Sequence, residues 1–192
     1  MKTTDPIRNK HHIREMAEYY LKRGKLRNYL LIVIGVHTGL RISDLLRIRQ
    51  NDVYDFEHGL FRSHISIIEK KTGKYKQIAI NAKVLHALAL FLGAQPANPD
   101  DFLFKSQKRL DCAIGRIQAW RIIKEAANAV GAAGRIACHS LRKSLGYFAW
   151  KSGVQPVLLM DIFNDSSFEI TRRYLGISQD ERDSVYLSLE LF

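Results

Sequence analysis

Cysteine is nearly absent from this 192-residue chain: Cys112 and Cys138 fall in no paired motif. No secretory pattern shows in MKTTDPIRNK either, which excludes a disulfide-stapled secreted scaffold and implies free thiols in a reducing, cytoplasmic compartment. Long apolar runs are also missing. The strongest, YLLIVIGV from Tyr29 to Val36, is far below the roughly 20 residues of a membrane span and reads as a buried helix, so no membrane partner is expected. There is no solenoid-period repeat, low-complexity tract or long linker, and residues 1–192 read as one compact domain. Acidic residues are outnumbered, 19 Asp+Glu against 30 Lys+Arg, and the net charge of +11 suits a polyanionic partner. His11, His12 and His37 have no fixed ligand spacing, so no metal is expected.

What is present reads as an α+β chain, mostly helical with one small antiparallel hairpin. Ile13, Met16, Ala17, Tyr20 and Leu21 have helical spacing and stop before Gly24; the next helix runs through YLLIVIGV to Thr38-Gly39. A third is expected over Ile42 to Arg49. HISIIE and YKQIAI flank KKTGK as two strands and a turn in which Gly73 supplies the tolerant backbone. Helices follow through Leu85–Leu92, Ile114–Val130, Ser140–Ser152, Pro156–Phe163 and Ser166–Leu175. The closing SVYLSLELF lacks clean helical spacing and is expected to pack as a last element, the alternative being an arm that docks on a second copy.

Four stretches carry candidate chemistry. In HSLRKS, His139 and Arg142 lie three apart and share a helix face, with Leu141, Leu145, Phe148 and Ala149 turned elsewhere. A displayed imidazole and guanidinium suit a phosphate; a helix-start histidine beside a surface ion pair fits equally. In TGLRISDLL, Arg41 enters a helix and Asp44, three residues on, is placed to orient it by a salt bridge. KKTGKYK presents Lys70, Lys71, Lys74 and Lys76 on a hairpin, either a cationic finger or a solvated turn. In DSSFEITRRY, Ser166 and Glu169 have capping-box spacing and Tyr174 falls in the last turn before Gly176. A tyrosine among cations is a candidate nucleophile for phosphorus, because positive charge stabilises phenolate; the ordinary reading is a core aromatic.

Taken together and in this order, Arg41 in TGLRISDLL, a hairpin lysine, His139 and Arg142 in HSLRKS and Tyr174 near the end resemble the catalytic domain of the tyrosine recombinases, the phage integrase family. The resemblance spans nearly the whole chain. It implies site-specific DNA cutting and rejoining, with Arg41 and Arg142 clamping the scissile phosphate and His139 assisting proton transfer. Lys71 of the KTG turn would protonate the departing 5′ oxygen, with Lys70 second to it, and Tyr174 would form a 3′-phosphotyrosyl link. The bond energy is kept in that link, so neither ATP nor a metal is required. Double-stranded DNA is the implied partner, contacted by Lys70, Lys74, Lys76, Lys143, Arg172 and Arg173, with tetramers on paired sites and a nucleoid location. Two readings stand beside it: single-strand DNA relaxation by the same tyrosine, and a non-catalytic DNA-binding relative.

Two departures from the family pattern stand out. Nine residues before the tyrosine the family usually has a histidine, less often a tryptophan, that donates to the phosphate; this chain has Asp165, in NDSS. An ionised aspartate accepts only and repels phosphate, so it is expected to cap the tyrosine helix with reduced activity, the other readings being a carboxyl protonated near the phosphate and the mark of a slower or inactive enzyme. The family's N-terminal DNA-clamping domain is also expected to be absent, since Met1 lies just before the first catalytic helix.

Overall fold

The computed structural model describes residues 4–109, 111–175, 177 and 179–189. Helix α1 (Lys10–Leu21) starts where the Asn9 side chain accepts the His11 N–H, and it buries Met16, Ala17 and Tyr20. Helix α2 (Leu26–Thr38) is buried continuously from Tyr29 to Val36, the mark of a helix surrounded by protein on every side. It ends at Gly39 in the left-handed conformation, φ 60°, which glycine adopts without steric penalty.

Helix α3 covers only Ile42–Leu45, shorter than the expected Ile42–Arg49. The Arg47 and Ile48 N–H groups bond three residues back, to Asp44 and Leu45, so the chain tightens and leaves the helix. Its backbone then finds other partners: Gln50 N–H donates to Asp101 and the Leu103 N–H donates to Ile48. A short antiparallel pair unrecognised in the sequence follows, β1 (Tyr54–Asp55) with β2 (Leu60–Phe61). The expected hairpin is β3 (His64–Ile68) with β4 (Tyr75–Ala79), in the register His64 to Ala79 and Ile68 to Tyr75.

The second half is helical: α4 (Ala82–Gly93), α5 (Arg116–Ala129), α6 (Cys138–Lys151), α7 (Pro156–Phe163) and α8 (Phe168–Leu175). Tyr20 is fully buried and its hydroxyl donates to the Ile122 carbonyl at 2.7 Å, tying α1 to α5. Helix α6 crosses α2 at Gly35, where a Cβ would lie 2.5 Å from Leu141 Cδ1. It crosses α8 at Gly146, where a Cβ would meet Phe163 and the Tyr174 Cβ at 3.1 Å. These close crossings bring the ends of α2, α7 and α8 to one face of α6.

Two sequence expectations need correction at the C-terminal end. Helix α8 begins at Phe168 rather than Ser166, and the Ser167 carbonyl accepts the Ile170 and Thr171 N–H groups. The expected stop, Gly176, lies outside the described residues. SVYLSLELF is not a packed last element over its described part: a helix α9 (Gln179–Ser188) leaves Val185, Tyr186, Leu187 and Leu189 exposed. Consecutive apolar residues in a helix cannot all face one way, which is why the spacing hid it. No helix among the described residues is long and apolar enough to cross a membrane.

Gly146→Val is expected to destabilise the fold by about 1–3 kcal/mol, since two branched methyls would be forced between Phe163 and Tyr174. Urea unfolding measures the loss, and near-ultraviolet circular dichroism reports the displaced tyrosine.

Candidate active site

Arg142 projects from α6 into the interior. None of its surface is exposed; Nη1 donates to the Gly39 carbonyl at 2.7 Å and Nη2 to the Phe163 carbonyl at 2.8 Å. Its guanidinium lies 4.5 Å from the Phe163 ring and 5.0 Å from the Tyr174 ring. The face shared with His139 is therefore not a displayed surface at this position, a correction to the reading of HSLRKS. Both carbonyls end helices, α2 and α7, where the backbone dipole is negative and favours a cation.

Beyond Phe163 the chain turns through Asn164, φ 51°, and the Asp165 N–H bonds back to the Met160 carbonyl. That turn aims the Asp165 side chain at the arginines. Oδ1 lies 3.9 Å from Arg41 and 4.0 Å from Arg142, while Oδ2 accepts the Thr171 hydroxyl at 3.1 Å. Asp165 thus serves the cleft rather than the N–H groups that open α8, contrary to the capping expectation. Burial raises its pKa above the ordinary value; Thr171 and the two arginines offset part of that, and Glu69 adds to it.

Arg41 is oriented by Glu69, 2.8 Å away and fully buried, rather than by Asp44. Asp44 instead accepts the Lys70 backbone N–H at 2.9 Å, fixing the start of the hairpin turn. Burial alone would raise the Glu69 pKa, but the Thr72 hydroxyl and Arg41 outweigh it and hold the carboxylate below its usual range. Glu69 is not among the site residues expected from the sequence. Its signal was strand alternation: Ile65, Ile67 and Glu69 share a face, and the first is fully buried.

The hairpin lysines divide. Lys70, Lys71 and Lys74 are exposed on the turn, whereas Lys76 reaches inward to the Ile162 carbonyl, at the end of α7. Burial, then the Arg142 charge, lowers the Lys76 pKa to about 8. A solvent-facing DNA contact at Lys76 is thereby corrected. Lys143 is corrected for the same reason, being buried with its ammonium on the Thr4 carbonyl at 2.6 Å. Arg172 and Arg173 are exposed on α8.

Tyr174 is 9% exposed, with its ring 5.0 Å from Phe163 and 5.2 Å from His139. Lost solvation around its titrating atoms, then the charges of Arg142, Lys143, Arg41 and Lys71, pushes the His139 pKa down to about 4, although the residue as a whole is exposed. The imidazole is therefore neutral at physiological pH and able to accept a proton. Among the described residues no group of three or more His, Cys, Asp or Glu side chains is placed to hold a metal ion.

A helical fold whose cleft gathers two arginines, a neutral histidine and a tyrosine is that of the catalytic domains of tyrosine recombinases. Residues 9–181 match the model of the Phage integrase family. The chain is 36% identical over 186 residues to the probable integrase/recombinase YoeC of Bacillus subtilis (strain 168), covering 97% of both proteins. It is 24% identical to a tyrosine recombinase of Pseudothermotoga lettingae, covering 88% of this chain but 56% of that one. Its fold matches XerA recombinase with a TM-score of 0.76 and 18% identity, over 97% of this chain and 66% of that one. It also matches XerH bound to a palindromic difH substrate, a post-cleavage complex, with a TM-score of 0.75 and 21% identity, over 98% of this chain and 54% of that one. This chain belongs to the phage integrase family, and it spans nearly all of YoeC but only about half of several other relatives.

Lysines carrying ¹³C-methyl labels should show one resonance, Lys76, titrating near 8, well below the ordinary lysine value. The unfolded chain binds more protons than the native one between that value and about 10.4, so the Lys76 contribution to stability increases as pH rises through this window. A Lys76 midpoint in the ordinary range would contradict its buried placement.

Proposed function

We propose that Tyr174 is the nucleophile of a DNA strand-transfer reaction carried out in this cleft. The observation that carries the reading is the packing of the Tyr174 ring within 5.0–5.2 Å of the Arg142 guanidinium and the His139 ring. Family membership makes the chain a DNA strand-transferase of the site-specific recombinase and integrase type; the residue roles are our assignment.

The Tyr174 oxygen attacks the scissile phosphorus, and neutral His139 accepts the phenol proton. The P–O5′ bond breaks, and Lys71, exposed on the hairpin turn and close enough to depress the His139 pKa, gives its proton to the departing oxygen. Arg41 and Arg142 neutralise charge that grows on the non-bridging oxygens; held by Glu69 and by two helix-end carbonyls, they need no reorganisation when it appears. A 5′ hydroxyl then reverses the steps and rejoins the strand. Phosphodiester energy is retained in the phosphotyrosyl bond throughout, so no ATP or metal enters the balance.

Lys70, Lys74, Arg172 and Arg173, all exposed, provide sequence-independent backbone contacts, for which steep salt dependence is expected. The exposed Val185, Tyr186, Leu187 and Leu189 fit self-association of copies on DNA. We place the reaction in the cytoplasm, at the nucleoid, with residues 1–192 acting as one catalytic unit. A non-catalytic reading is not favoured, because the other groups of the cleft are brought together intact.

Incubation with a nicked suicide duplex is expected to trap a covalent adduct that Tyr174→Phe abolishes. Arg41→Ala should lower adduct formation by about 10²-fold or more with the fold retained. Arg142→Ala should lose stability as well, because the Gly39 and Phe163 carbonyls lose their buried donors; urea unfolding separates this from the loss of activity. An adduct of full yield in Tyr174→Phe would refute the assignment.

A further inference from the structure

Glu69 is accounted for as the partner of Arg41, but the strand-transfer chemistry has no use for the second carboxylate of the cleft. Asp165 Oδ1 faces both guanidinium groups at 3.9 and 4.0 Å, beyond hydrogen-bond reach yet close enough to act as their counter-charge. Meanwhile Arg41 Nη1 is taken up by Glu69 at 2.8 Å, whereas Arg142 Nε is buried with no hydrogen-bond partner among the described residues. Two cations thus face one anion through their Nη2 nitrogens, and Arg142 keeps a further donor unpaired. A buried donor left unpaired costs free energy, so the Arg142 guanidinium is open to another acceptor.

We propose that Asp165 is an internal stand-in for the scissile phosphate, and that a phosphate entering between Arg41 and Arg142 does so with uptake of one proton by Asp165. The proposal rests on the reading of these arginines as the phosphate clamp. Two anions within a few ångströms in a partly dry cleft repel, whereas a neutral carboxyl retains its Thr171 contact and turns an O–H donor towards the arriving oxygen. The proton comes from solvent; no bond other than that O–H is made. Protonation restores at this position the donor that the family pattern leads one to expect and that an ionised aspartate lacks.

The groups facing Asp165 come from every packed element: Arg41 at the start of α3, Glu69 after β3, Lys76 on β4, Arg142 on α6 and Thr171 on α8. His139 on α6 and Tyr174 on α8 complete the cleft around Arg142. Lys76 titrates near 8 and His139 near 4, while Glu69 lies below its usual range. In the range above the ordinary aspartate value and below neutral pH, Asp165, raised by burial, is therefore the group positioned to titrate as phosphate arrives. The cleft would be self-neutralised and held back at higher pH, and opened to phosphate as pH falls.

Inorganic sulfate is the probe, since it stays doubly charged across this range and needs no knowledge of the DNA sequence. Isothermal titration in two buffers of different ionisation enthalpy is expected to show proton uptake with sulfate by the native chain, and affinity rising up to about tenfold per pH unit lowered. The Arg142 Nε–H resonance should shift on binding. Asp165→Asn, which keeps the shape and removes the charge, should bind sulfate at neutral pH more tightly than the native chain does, without pH dependence. Sulfate binding by the native chain with no proton uptake, or the same pH dependence in Asp165→Asn, would overturn the proposal. The native pH series stands even if the variant folds poorly. Loss of the covalent adduct in Tyr174→Phe is independent of either result, so failure of the Asp165 proposal and failure of the strand-transfer reading are separable.

Discussion

A guanidinium with no surface open to water joins the end of α2, the body of α6 and the end of α7. Removing a charge from water costs several kcal/mol unless it is hydrogen-bonded and compensated. Here two carbonyls at helix C-termini, the faces of Phe163 and Tyr174, and the nearby Asp165 carboxylate supply the compensation. The bonds that fix Arg142 therefore also fix the spacing of the helices. Gly35 and Gly146 make that spacing possible, because no side chain intervenes where α6 crosses α2 and α8.

The same economy governs the rest of the cleft. The C-terminal end of α7 receives Lys76 at Ile162 and Arg142 at Phe163, and the residue two beyond supplies the anion that faces them. Arg41, Arg142 and Lys76 are thus opposed by Glu69 and Asp165. Within such a cluster each charge offsets the others, so removal of one member costs stability by leaving a partner unmatched. Low solvation explains the directions of the shifts: His139 and Lys76 are pushed towards neutrality and Asp165 towards its protonated form. A neutral imidazole beside a tyrosine is what a proton acceptor in phosphoryl transfer requires.

Much of this was legible before any coordinates. Pro156 at a first helical position and the Asn164-Asp165 break bracket α7 at its observed bounds, because both are local backbone effects. The β3–β4 hairpin declares itself through β-branched runs around Gly73. By contrast, α3 ends early because residues 48–50 find backbone partners at 101–103, a pairing between segments some fifty residues apart that no local pattern records. The exposed apolar side of α9 was hidden for the opposite reason, since burial is the premise on which hydrophobic spacing is read.

The chemical inventory and its order are written in the chain: the arginines, the histidine, the hairpin lysines, the tyrosine and the anomalous aspartate, with the helices and hairpin that carry them. Side-chain type and local periodicity are properties of neighbours along the chain, and they survive without a fold. The pairings come from the packed fold. It gave Arg41 to Glu69 instead of Asp44, drew Lys76 and Lys143 inward, buried Arg142 and turned Asp165 towards the arginines and the Thr171 hydroxyl instead of the first N–H groups of the tyrosine helix. A charge selects its partner by distance and solvation, and both are set by which elements pack together.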